Sequence, residues 1–571
     1  MISKSNILLF FKQKYFLQIL LIIICLIPIF SGISSIPPLD RDESRFSQSS
    51  YQMVETNDYV NIKFQDEIRA KKPIGIYWLQ ALSAEVFGID DIASYRLPSL
   101  FAAFLSISIL WFFSKKIFGR NSALLITLLF STNILFVSEA HIAKTDSVLL
   151  SLICLQQYLL FLIIFEKEKK YKLYHLIPVI MWLVVSLGML IKGPISLIVF
   201  ILTLITYCII KKNISILSKI KPLIGLVIAA VILVPWIVSI QQSTDGLFLY
   251  KAIHEDFLPK LSGGQEGHGA YPGFYILFSS FILWPLACFL PISILFIFEK
   301  KNNSAIQFLL CWIIPYWLIL ELVPTKLIHY PLPILPPLIM LISASLFFFE
   351  KNEVKIHNVK IKNVFFSLST LLGFGGILFG SALYYFTIKF GNSDNYLLHF
   401  ISILSFTLFL CVFILTTFKS YFLIYKPKLI SSFWQFFLVF KNLKFLIILT
   451  SINYFLIFGF IFPNLEKLFP SKLIFNELKT IKYDSISSIG FHEPSLVFFL
   501  KGKIILSNSH EGAIFLAEGK NNIVLIEERH LKDFKFFAKN LDLNLDEIKK
   551  VQGFNYSKGK KVKIYFYKSI H

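Results

Sequence analysis

Pro38-Leu39-Asp40-Arg41-Asp42-Glu43-Ser44-Arg45-Phe46 follows the first long apolar run of the chain, and about a dozen more runs of spanning length come after it. The acidic pair Asp42 and Glu43 therefore stands just outside a membrane span. Ionisable groups in that position point to chemistry at a lipid surface.

Composition supports the reading outward from this stretch. Of 571 residues, 56% are hydrophobic, 16% aromatic and 16% charged, with a mean hydropathy of +0.67. Such a chain has too little polar surface to cover a soluble globule, so the bilayer is the solvent for most of it. Apolar stretches of roughly 17–25 residues recur from Phe16 to Phe462, about thirteen in all. Ile19 to Phe30 is read as the first span, not as a cleaved leader. The expected fold is an α-helical polytopic membrane protein over 1–463, including an exported loop at 37–92 with interfacial helices, followed by a small soluble α/β domain over 464–571.

Lysine placement gives an orientation. With the amino terminus inside, Lys115 to Arg120, Glu166 to Lys172, Lys211 to Lys221, Lys300 to Asn303, Lys351 to Lys362 and Lys419 to Lys444 share the cytoplasmic side. Together with the amino terminus they carry about 25 Lys and Arg, against about 12 opposite. This bias accounts for much of the formal charge of +21, and nucleic-acid binding, the usual partner of a basic chain, is set aside. All six cysteines lie in apolar runs, so no disulfide framework is implied. No internal repeat is evident.

Four outward segments stand out. In Pro37 to Asp91, Phe46, Met53 and Val54 keep helical spacing, as do Tyr77, Trp78, Leu82 and Val86, which predicts two interfacial helices on either side of an extended turn at Tyr59 to Phe64. The second segment is short, Ser138 to Asp146. Gln241 to Pro272, with four glycines around His268, reads as a mobile loop, and Pro324 to Pro331 joins two spans. A tight turn at Lys192 to Pro194 lies on the same side. Carboxylates Asp42, Glu43 and Asp146 thus share one face with the cationic or donor groups Arg45, Lys72, Lys192, Lys326 and Tyr330. Carboxylates can serve as bases, and cations can hold an anionic leaving group. After Pro463, strand-like runs at Ser495 to Leu500, Lys503 to Ser507, Asn522 to Ile526 and Lys561 to Tyr567 and a helix near Leu531 to Asn540 predict the soluble domain. That domain shows no nucleophile motif, phosphate loop or metal spacing, so docking or recognition is its expected role.

At these residues the chain resembles the GT-C glycosyltransferases of the protein O-mannosyltransferase superfamily, in particular the bacterial branch of the aminoarabinose lipid A transferases. Asp42-Glu43-Ser44-Arg45-Phe46 is similar to that branch's Asp-Glu-x-Arg-Tyr/Phe, and Lys72-Pro73 with Tyr77-Trp78-Leu79 to its Lys-Pro-Pro-x-x-Tyr-Trp-Leu. Thr145-Asp146, Lys192-Gly193-Pro194, Lys326 to Pro333 and Glu493 to Phe498 resemble its later signatures in the same order. The resemblance implies a periplasmic cavity that binds an undecaprenyl phosphate-linked sugar and transfers it with inversion to lipid A or another envelope glycolipid. Because the departing phosphate is already a stable anion, such a reaction needs a base for the acceptor and cations for the leaving group. By position, Asp42 would be the catalytic carboxylate and Asp146 a second one, with Arg45, Lys72, Lys192, Lys326 and Tyr330 around the donor phosphate. Glu43 would support Arg45 or a metal. Tyr77, Trp78, His268 and His329 are candidate substrate contacts.

One departure bears on cofactors. Members of the branch often carry a metal-binding Glu where this chain has Lys71, and a protonated ammonium cannot ligate a metal. A divalent metal would have to draw on Glu43, His254, Asp256 and His268. Each residue also has a structural reading: Asp42, Glu43 and Asp146 as helix caps, Lys72 and Lys192 as snorkelling anchors, and Tyr77 and Trp78 as an interface belt. Transfer to protein hydroxyls, or a lipid or solute transporter or flippase, are the alternative functions; a transporter would place ionisable groups near the bilayer midplane.

Overall fold

The computed structural model describes residues 18–166, 174–263, 269–356, 358–425, 443–519 and 521–570. The first nine helices set up the site: α1 (Gln18–Phe30), α2 (Asp42–Thr56), α3 (Gly75–Phe87), α4 (Ile92–Phe118), α5 (Arg120–Ser131), α6 (Ile134–Ala140), α7 (Thr145–Phe165), α8 (Ile177–Lys192) and α9 (Ile195–Lys211). Among the described residues, eight helices are long and apolar enough to cross a membrane, or nine if the bent pair α5 and α6 counts as one. Four shorter apolar helices, among them α1, α8 and α9, accompany them. The chain is a multi-pass membrane protein, and one apolar cluster runs through the bundle from Leu21 to Leu465.

The segment 37–91, predicted to face outward, folds as its periodicity predicts. α2 and α3 lie on either side of a two-stranded hairpin, β1 (Lys63–Phe64) and β2 (Glu67–Ile68). Two other segments differ from expectation. Lys419, expected in a cytoplasmic loop, lies inside the helix Tyr396–Tyr425, buried and paired with Glu350; the apolar run resumes beyond it, and one paired cation does not end a helix. Residues 426–442 of that expected loop lie outside the described residues. The segment expected as a mobile loop is helical from Leu247 to Ser262, with a π-turn at Ala252–Phe257, because no glycine interrupts it before Gly263.

The soluble domain is a five-stranded sheet of β3 (Ile486–Ile489), β4 (Ile505–Ser507), β5 (Ile523–Glu527), β6 (Asn544–Asn555) and β7 (Lys560–Ile570), in the order β4-β3-β5-β7-β6. β3 is parallel to both β4 and β5, while β7 is antiparallel to β5 and β6. Along β5, Ile523 and Leu525 face one core and Val524 and Ile526 the other, the period-two alternation of a strand covered on both sides. The run expected as a strand at Ser495 to Leu500 is instead the helix Pro494–Phe499. Pro494 sets helical φ at its first position, and a short apolar run does not distinguish the two states by pattern alone.

Candidate functional site

The segments predicted to face outward converge on one cavity of about 100 Å³. α2 brings Asp42 and, one turn on, Phe46; the hairpin then reverses the chain and delivers Arg69, Lys71 and Lys72. Lys144 and Asp146 come from the start of α7, Lys192 from the end of α8, Asp256 and Lys260 from the π-turn and the helix after it, and Thr325, His329 and Tyr330 from the fourth segment. Gly75 allows the approach of two of these pieces. A Cβ there would lie 2.8 Å from the Leu190 carbonyl oxygen, so the backbone after Lys72 rests directly against the last turn of α8.

Among the described residues of this lining, six Lys and Arg side chains face three carboxylates, an excess of positive charge suited to an anion. The carboxylates are not equivalent. Asp146 is held by Lys192 at 2.6 Å, with His329 Nε2 at 3.8 Å and Lys144 at 3.9 Å. Asp256 lies between Lys260 at 2.6 Å and Lys72 at 3.4 Å. Asp42 meets Arg69 only at 3.9 Å, and its side chain is 58% exposed. Partial desolvation beside the cavity disfavours its charge, but Arg69, Lys144 and Lys72 outweigh that and hold its carboxyl below the usual value. Lys72 is lowered to about 8 by burial, against the opposing pull of Asp256. His329 is lowered to about 3, by burial first and then by Lys144.

Other expected residues lie elsewhere. Glu43 is committed to Arg96: its carboxylate is buried, takes two 2.8 Å bonds from Arg96, and accepts from the Leu39 and Ala143 amides. Arg45 does not line the cavity, because the i, i+4 face of α2 presents Phe46 beside Asp42, and the guanidinium over that ring is Arg69. Lys326 is turned away. Its ammonium donates to the Leu320 and Glu321 carbonyls at 2.5 and 2.7 Å, satisfying the open end of the helix Ser304–Leu322. Tyr77 is buried behind the cavity and accepts from Arg69 Nε at 3.2 Å, while Trp78 donates to the Tyr59 carbonyl from the surface of α3. His254 is exposed beside Tyr250. His268 lies outside the described residues.

Among the described residues, the candidate donors do not fit a divalent metal. Glu43 is saturated by Arg96 and amides, and Asp256 is shared by two ammoniums. Among the described residues no group of three or more His, Cys, Asp and Glu side chains could hold one.

Arg69, Lys144 and Lys260 were not singled out by sequence reasoning. The available signal was spacing: Arg69, Lys71 and Lys72 place three cations in four residues, and Lys144 stands two residues before Asp146.

The soluble domain reaches the turn that carries Asp42. Tyr556 Oη accepts from the Asp40 amide at 2.5 Å, Arg41 Nη2 donates to the Ser557 carbonyl at 3.1 Å, and the Ser495 amide donates to Asp40 Oδ1 at 3.1 Å. Arg41, between them, has φ 68° and ψ −97°, a strained conformation for any residue but glycine. Glu493 holds the other side of the turn between β6 and β7 through Asn555, Ser557 and Lys558.

Comparison with known proteins gives a consistent set. Residues 71–238 match the family model described as dolichyl-phosphate-mannose-protein mannosyltransferase. An undecaprenyl phosphate-alpha-4-amino-4-deoxy-L-arabinose arabinosyl transferase of Aeromonas salmonicida is 25% identical over 327 residues, covering 56% of this chain and 59% of that protein. Similarly named proteins of Pseudomonas fluorescens and Yersinia pestis are 22% and 23% identical, over 53% and 66% of this chain and 53% and 67% of theirs. The matched region thus spans between about half and two thirds of these relatives. The crystal structure of ArnT from Cupriavidus metallidurans bound to undecaprenyl phosphate superposes with a TM-score of 0.71 over 96% of this chain and 97% of that one, at 13% identity. The two share a fold.

Proposed function

We propose that the protein is an inverting glycosyltransferase that moves a sugar, of the 4-amino-4-deoxy-L-arabinose type, from undecaprenyl phosphate to lipid A or another envelope glycolipid. The reaction takes place at the outer face of the bacterial inner membrane. The amino terminus is cytoplasmic, and the domain at 464–571 is periplasmic. One observation carries the reading: in a cavity with six cations, Asp42 is the carboxylate left open to an acceptor, while Asp146 and Asp256 are spent on holding lysines. The names of the relatives and the shared fold support it.

In this reading Lys72, Lys192, Lys144 and Arg69 surround the donor phosphate and stabilise it as it leaves, and Tyr330, beneath Lys192, fixes the ammonium in place. Asp42 accepts the acceptor's hydrogen bond and then its proton as the new bond forms opposite the departing phosphate. Transport is disfavoured because the ionisable groups in and around the cavity gather at helix ends, Arg96 near the start of α4, Asp146 at the start of α7 and Lys192 at the end of α8, while Lys419, inside its helix, is neutralised by Glu350. The test is mass spectrometry of lipid A and total envelope glycolipids from cells with and without the protein. A sugar-sized mass gained only with it supports transfer to lipid, whereas unchanged lipids with newly glycosylated proteins would favour protein hydroxyls.

Two predictions arise from the site. Lys72 carries its charge below about pH 8 and loses it above, and a phosphate is attracted only to the charged form. Affinity for undecaprenyl phosphate is therefore expected to fall as pH rises from about 7 to about 9, and Lys72→Arg, charged throughout, is expected to flatten the profile. His329 is already neutral across this window and adds nothing to the fall. An identical profile in Lys72→Arg would remove Lys72 from the phosphate site. Separately, Tyr556→Phe deletes the hydroxyl that holds Asp40. It is expected to lower kcat about tenfold with donor KM unchanged, and Arg41→Gly in the same background to recover part of the loss, since glycine adopts this backbone without strain. A change confined to KM would show that the contact does not position Asp42.

A further inference from the structure

The soluble domain has a cavity of its own, about 920 Å³, at the carboxyl ends of its parallel strands. The topology explains its place. From β3 the chain passes through the helix Pro494–Phe499 on one face of the sheet to β4, then through the helix Ser509–Glu518 on the opposite face, back across β3 to β5. The direction of winding reverses between β3 and β5, so their connections part and leave a crevice, the place where open α/β sheets bind ligands.

The residues at that point are specific. Gly490 follows β3 with φ +82°, and a Cβ there would lie 2.3 Å from the His530 ring. The imidazole is laid on bare backbone and floors the crevice between the two strands. Arg529, beside it, and Lys558, from the turn between β6 and β7, bring fixed positive charge to the lining, against a single carboxylate, Asp533. The acids that pair with these cations, Glu527 and Glu493, stand outside the lining. Phe536 forms an apolar wall with 62% of its surface exposed, unusual for a phenyl ring on a polar helix face. Cations, imidazoles and an open aromatic face together match a sugar ring that carries a phosphate: the ring's C–H face covers the phenyl group, and the phosphate meets the cations. The volume is that of a small-molecule site.

We propose that this crevice binds a small phosphorylated saccharide, with its phosphate at Arg529 and Lys558 and its ring on Phe536. The site is separate from the membrane cavity, and the binding does not depend on transfer occurring there. The test uses the full chain in detergent micelles with glucosamine 1-phosphate as the probe, read by saturation-transfer NMR and titration. Saturable binding is expected, weakened about tenfold or more by Arg529→Gln and by Phe536→Ala. Both side chains are at least half exposed, and an unchanged melting temperature checks that the variants fold. Absence of saturable binding would overturn the proposal, as would binding that neither variant weakens, which would place the probe in the membrane cavity. Inorganic phosphate or AMP competing more strongly than glucosamine 1-phosphate would overturn the saccharide assignment.

Discussion

Asp42→Asn is expected to insert, fold and melt like the wild type while losing at least about 10²-fold in the rate of sugar transfer. Folding is spared because Asp42 is largely exposed and makes only a long contact with Arg69. The chemistry is not spared, because no other cavity carboxylate among the described residues can substitute. Asp146 is clamped by Lys192 and Asp256 by Lys260 and Lys72, and moving either toward an acceptor would release a cation that the donor phosphate needs. The lowered pKa of Asp42 shapes its role. Any carboxylate is too weak a base to deprotonate a hydroxyl in advance, and the neighbouring cations make this one weaker still; it orients the hydroxyl and takes the proton only as the phosphate departs. Transfer should therefore depend more steeply on the leaving group than on the acidity of the acceptor. The measurement is single-turnover transfer by reconstituted protein with a defined donor, and full activity in Asp42→Asn would refute the assignment.

The neighbouring residue is expected to behave in the opposite way. Glu43→Gln leaves Arg96 buried without its counter-charge, and breaking such a pair costs about 3–5 kcal/mol. The guanidinium also donates to the carbonyls of Ile33, Ile36 and Pro37, and Glu43 accepts from Ala143. The pair thus ties the loop after α1 to α2, α4 and the segment before α7. Loss should appear as a large drop in melting temperature in detergent, with activity falling because protein is lost and not because substrate binds less well. An unchanged melting temperature would show that the pair is not structural. Two adjacent acids in one motif would then separate cleanly into chemistry and scaffold.

That separation marks how far the sequence could be read. Asp42, Lys72, Asp146, Lys192, His329 and Tyr330 were legible as site residues because each stands at an end of an apolar run on one predicted face, and they do line one cavity. Glu43 and Lys326 have the same local signals. Glu43 is decided by a distant partner, Arg96, which no local pattern announces, and Lys326 by the open carbonyls of the helix end five and six residues before it, a capping role that its place after an apolar run fits as well as a site role. Arg69 was hidden for the converse reason: it approaches Asp42 only because the β1-β2 hairpin folds the chain back. In the soluble domain, helix Leu531–Asn540 was legible from its strong period. Helix Pro494–Phe499 was not, since six apolar-rich residues satisfy either period.

The contacts between the Asp42 turn and the turn joining β6 and β7 join residues 516 positions apart in sequence. A ribosome making this protein inserts the membrane cavity long before it produces Tyr556. During that interval Asp40 and Arg41 lack their anchors, and the strained backbone at Arg41 is free to relax. The nascent protein is therefore expected to sit in the bilayer with its cations assembled and its base out of place, so that it cannot spend lipid-linked donor until synthesis has passed the last hairpin. A chain stopped before residue 556 also lacks β7, the strand that joins β5 to β6, and is expected to be membrane-bound and catalytically silent.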